Sequence, residues 1–173
     1  VDFDNTVRVA GNIDIDAAGT VDFANTVTTT GTGQVTVTNG GTLTIVGAAD
    51  FNLNGAFLQD GAGAVSTAGD IDTTNDNVTF TTAVTLTGDV DIDTNTGAGN
   101  IVFLSTLTGT TAGAEDLTLR SGTGDVTFTG AVGATRLGAI LITSAANVTA
   151  AAIDAASLTQ SAGTGTTQLN GQV

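Results

Sequence analysis

One phrase constrains this chain more than any other feature: an apolar residue, a spacer, Phe, three spacers, and a second apolar residue. It reads VDFDNTV at 1–7, VDFANTV at 21–27, VTFTTAV at 78–84, IVFLSTL at 101–107 and VTFTGAV at 126–132. Variants start at 51 (FNLNGAF, with Leu53 in the Phe place), at 147 (NVTAAAI, shortened) and at 167 (TQLNGQV, degenerate). Successive starts are separated by 20, 30, 27, 23, 25, 21 and 20 residues. A period in this range, built from short extended segments, is the signature of a solenoid whose units stack on their neighbours.

A second kind of segment alternates with the first. NIDID (12–16), QVTVT (34–38), DVDID (89–93), DLTLR (116–120) and AILIT (139–143) place apolar residues at every second position, so one face of each is apolar and the other polar. Gly-x-Gly triplets at 31–33, 61–63, 97–99, 122–124 and 163–165 each precede a strand-like run, which reads as a corner where the chain changes face. None of these triplets has the Lys or the following helix of a phosphate loop. Asn39-Gly40 and Asn54-Gly55 are the two hairpin-type dipeptides. No helical pattern is sustained, since the Ala-rich run 145–157 contains the poor helix formers Asn147, Val148 and Thr149.

The expected fold is all-β: a single β-solenoid segment over 1–173, a parallel β-helix of about seven to eight rungs, on the order of 35–40 Å long at about 4.8 Å per rung. Phe3, Phe23, Leu53, Phe80, Phe103 and Phe128 are expected to occupy equivalent places in one interior column. Val7, Val27, Val84, Leu107 and Val132 are expected beside it.

Composition narrows the chemistry. The chain has 17 acidic residues against three arginines (Arg8, Arg120, Arg136), a net charge of −14, and no Cys, His, Lys, Tyr, Trp, Met or Pro. Scattered arginines cannot bind phosphate backbones, so nucleic acid is not an expected partner. The same charge disfavours anionic membranes, and no apolar run is long enough to span one. A Ser-His pair and a Cys nucleophile are both ruled out by composition. The Lys, Arg or His that would join carboxylates in a polysaccharide-cleaving site are absent or scattered. Catalysis is therefore not expected.

Units such as GDVTFTGAV, GNIVFLSTL and GDVDIDTNTG resemble the β-strand repeats of giant bacterial surface proteins, the filamentous-haemagglutinin-like exoproteins and related adhesins. The resemblance runs along the whole chain. It implies a right-handed parallel β-helix, secretion to the cell surface, and a stalk, adhesive or matrix role. It transfers no catalytic residue.

Among polar features, the aspartates of DIDTTND (70–76) and DVDIDTNTG (89–97) are the most informative. They alternate with Ile71, Val90 and Ile92 and must face outward if those residues face in. With 19 residues between the two segments, Asp70 is expected over Asp89 and Asp72 over Asp91. Stacked carboxylates repel, and a divalent cation would relieve them. Asp70, Asp72, Asp89, Asp91, Asp93 and Asn95 are thus the candidate Ca²⁺ ligands, although the glycine and glutamate of a calcium loop are missing from Asp91-x-Asp93-x-Asn95-x-Gly97. A solvated acidic face is the simpler account. Outward Thr pairs, as in QVTVT, are ordinary strand formers. Asn77-Val78-Thr79 and Asn147-Val148-Thr149 match the N-glycan acceptor pattern.

No initiator Met, signal peptide or terminal cap is recognisable, so the sequence reads as a processed piece of something larger. It would be the ordered middle of a longer polypeptide or a subunit stacking end to end into a filament. The expected function is structural: a segment of a secreted stalk, adhesin or extracellular filament, whose partners are itself and a host or matrix glycan or protein. A Ca²⁺-dependent adhesive or glycan-binding module is the alternative.

Overall fold

A strand of three residues can bury its first and third side chains and expose its second, and this chain repeats that unit from end to end. The computed structural model describes residues 1–173, and its regular elements are all β-strands. The first coil is β1 (Asp2–Phe3), β2 (Val7–Ala10) and β3 (Ile13–Ala17). The second is β4 (Val21–Phe23), β5 (Val27–Thr30) and β6 (Val35–Asn39), and the third β7 (Leu43–Ile45), β8 (Phe51–Leu53) and β9 (Phe57–Asp60). The fourth is β10 (Val65–Thr67), β11 (Ile71–Thr73) and β12 (Val78–Phe80). The fifth is β13 (Val84–Leu86), β14 (Val90–Asp93) and β15 (Ile101–Phe103), and the sixth β16 (Leu107–Gly109), β17 (Leu117–Arg120) and β18 (Val126–Phe128). In the seventh, β19 (Val132–Ser144) serves as two strands before β20 (Val148–Ala150). In the eighth, β21 (Ile153–Gln160) precedes β22 (Thr167–Leu169).

Every strand pairs in parallel with its counterpart one coil away, which makes the molecule a three-faced β-solenoid of eight coils. The third face is a separate sheet, β3-β6-β9-β12-β15-β18-β20-β22. The first and second faces are joined through β19 into one 14-stranded sheet, because β19 runs from one face onto the other. Asn39-Gly40 and Asn54-Gly55 do not close hairpins; each lies at a corner between faces, and the flanking strands pair only with other coils. The Gly-x-Gly triplets also lie between strands, at corners. There the backbones of successive coils approach closely: a Cβ on Gly63 would sit 1.7 Å from the Gly41 carbonyl oxygen.

The interior is one cluster of 36 buried apolar residues reaching from Ile15 to Ile153. All seven Phe form a continuous column of ring contacts through it, stacked at Phe3–Phe23, Phe80–Phe103 and Phe103–Phe128 and edge-on or tilted between, with ring centroids 4.7 Å apart for Phe3–Phe23 and 4.9, 5.6, 5.3, 5.2 and 5.3 Å for the pairs that follow through Phe51, Phe57, Phe80, Phe103 and Phe128. These places are not equivalent, contrary to the expectation from the repeat. Phe3 and Phe23 align with Ile45 on the first face, whereas Phe80, Phe103 and Phe128 align with one another on the third. Leu53 lies on the second face opposite Thr73, outside the stack, and Phe51 and Phe57 fill the gap. Likewise Val7 and Val27 belong to the second face, and Val84, Leu107 and Val132 to the first.

The cause is that all three faces use the same inward–outward–inward strand. The phrase can therefore start on any of them. Its long steps, 21 to 51 and 51 to 78, are where it slips from the first face to the second and from the second to the third. What is preserved is a ring in every coil from the first to the sixth, filling a narrow interior.

Candidate functional site: the aspartate face

The polar architecture is built from corners. On the corner before the third face, a side-chain amide or carboxylate of one coil accepts a hydrogen bond from the backbone N–H of the next. Asn100 N–H donates to Asn77 Oδ1 (2.8 Å), Asp125 N–H to Asn100 Oδ1 (2.8 Å), Asn147 N–H to Asp125 Oδ1 (2.9 Å) and Thr166 N–H to Asn147 Oδ1 (3.0 Å). Inside the same corner, hydroxyls close the turns: Thr29 donates to Gly33 O (2.6 Å), Thr73 to Asp76 O (2.6 Å) and Thr94 to Gly99 O (2.8 Å). Asn75 and Asn95 hold the left-handed backbone there, with φ of 65° and 66°, the region Asn tolerates better than most side chains. Both acceptor-pattern asparagines are rungs of this ladder, and Asn147 Nδ2 also donates to Asp125 Oδ1.

A second ladder runs along the corner between the first and second faces, and it is made of aspartates. Asp70 N–H donates to Asp50 Oδ1 (3.3 Å) and Asp91 N–H to Asp70 Oδ1 (2.7 Å). Asp116 N–H donates to Asp89 Oδ1 (2.9 Å) and Ala139 N–H to Asp116 Oδ1 (2.6 Å). Asp70, Asp89, Asp91 and Asp116, with Val90 and Thr118, line an open groove of about 300 Å³.

The register of these aspartates differs from the expectation by two residues. Ile71 pairs with Ile92 and Asp72 with Asp93, so Asp70 stands level with Asp91. Asp89 lies beyond, where β14 extends back to Val90 to meet Leu117. A slip of two keeps every side chain on its face, so alternation could not tell the two registers apart. Asp93 carries an ion pair to Arg120 at 2.9 Å, one coil on. Asn95 sits in a corner away from Asp70 and Asp89, and the N–H of Gly97 goes to Asn75 Oδ1 instead of closing a loop on an ion. Although four aspartates line the groove, no group of three or more carboxylates has an arrangement that could hold a metal ion.

Crowding nevertheless shows in the titration of the face. Partial burial, then the charges of Asp70, Asp93 and Asp72, push the Asp91 carboxyl up to about 6, against a small opposing effect of Arg120. Asp72 is raised for the same reasons, burial first and then Asp93, Asp70 and Asp50. Glu115, 5% exposed, behaves oppositely. The Thr110 hydroxyl, with the Thr111 N–H at 3.0 Å, holds its carboxylate below the usual range and ties down the corner between β16 and β17.

Sequence reasoning named Asp70, Asp72, Asp89, Asp91, Asp93 and Asn95, of which Asp70 and Asp89 are acceptors in the ladder, and it missed the acceptors Asp50 and Asp116. It also missed the Asn/Asp ladder, whose signal was present: Asn77-Val78, Asn100-Ile101, Asp125-Val126 and Asn147-Val148 repeat an amide or acid just before each third-face strand. In comparisons with known proteins, no family model, no curated protein and no solved structure matches this chain.

Proposed function

We propose that this chain is a structural segment of a secreted bacterial surface protein, a stalk, adhesin or extracellular filament in which the solenoid serves as a stiff spacer. The observation that carries the reading is the unbroken axial column of seven rings in contact from Phe3 to Phe128. Each coil contributes side chains that only its neighbours bury, so the coils hold together as one body and resist bending. Corner ladders add side-chain hydrogen bonds along the same axis. A net charge of −14 keeps neighbouring rods apart at low salt. The likeness of GDVTFTGAV and its companions to filamentous-haemagglutinin-like repeats supports the same role. Partners under this reading are further coils stacked along the axis, from the same polypeptide or another copy, and a glycan or protein of the host or matrix at a distance.

The test is immunogold labelling of intact cells that produce the chain, with an antibody raised against the folded segment. Label on fibres projecting from the envelope is the expected result. Label confined to the cell interior would overturn the proposal.

A further inference from the structure

We draw no further inference here: the strongest candidate, the groove that Asp70, Asp89, Asp91 and Asp116 line on the second face, is a cluster of carboxylates of which three accept backbone hydrogen bonds from the next coil, and nothing in the structure points to a ligand in it.

Discussion

A single ring in the stack touches the coil before it and the coil after it, so its removal is felt on both sides. Phe103 is 1% exposed and is stacked between Phe80 and Phe128, its ring nearly parallel to both. Phe103→Ala should destabilise the fold by about 3–5 kcal/mol, the range for emptying a large buried aromatic site. Phe3, only partly buried and with one ring neighbour, should cost clearly less. Urea denaturation of both variants checks this, and equal losses would count against the stack as a source of stability. Titration gives a second residue-scale expectation. The folded chain binds a proton at Asp91 near pH 6, whereas the ordinary value is 3.8, so the fold gains stability as pH falls through this interval. Glu115 works in the other direction, since its stabilising charge is lost only as pH drops below the ordinary 4.5. The melting temperature should therefore rise from about pH 8 to about pH 5, with solvent screening keeping the gain modest. Asp91→Asn should raise the melting temperature at neutral pH and flatten that slope; a slope unchanged by the substitution would refute the assignment to Asp91.

At the level of strands and corners, the sequence made the strand unit and the solenoid legible but not the phase. Alternation says which side chains face inward, and VTF, IVF and VDF say so plainly. It does not say which face a strand belongs to, because the interior asks the same of all three. Corner length decides that, and corners here vary from Gly11–Asn12 to Thr110–Asp116. The misplacement of Leu53, and the offset of Asp70 from Asp89, both follow from this. Corners are also where substitution should be least forgiving. Gly63 presses on the Gly41 carbonyl, and its own carbonyl oxygen accepts hydrogen bonds from Thr82 Oγ1 (2.7 Å) and Gln59 Nε2 (3.3 Å). Gly19 has open space where a Cβ would go. Gly63→Ala should lower the denaturation midpoint markedly and Gly19→Ala hardly at all; the reverse order would contradict the close stacking of these corners. The ladder can be probed at Asn100. Asn100→Asp keeps the acceptor for Asp125 N–H, as Asp125 itself does for Asn147, whereas Asn100→Ala removes it and should cost about 1 kcal/mol. Equal stabilities for the two variants would mean that the ladder contributes nothing.

Taken whole, the molecule is protected unevenly along its axis. Val21 to Val148 supply nearly all the fully buried side chains, while residues 161–173 are exposed throughout. Amide exchange should accordingly be slowest in β6 to β18 and fastest after Gln160, and a uniform rate along the chain would argue against this gradient. The three faces also differ in character. Second-face aspartates gather over the middle coils, whereas Thr44, Ser66, Thr85 and Thr108 occupy the outward positions of the first face there. That contrast was hidden in the sequence, where acid and hydroxyl residues are simply interspersed, because only the register assigns them to different sides. The two corner ladders share one further property: in each hydrogen bond the earlier coil supplies the acceptor and the later coil the donor. The finished part of the chain thus acts as a mould for the part that follows. A polypeptide emerging amino end first, from a ribosome or through a pore, can lay down each turn on a template already complete.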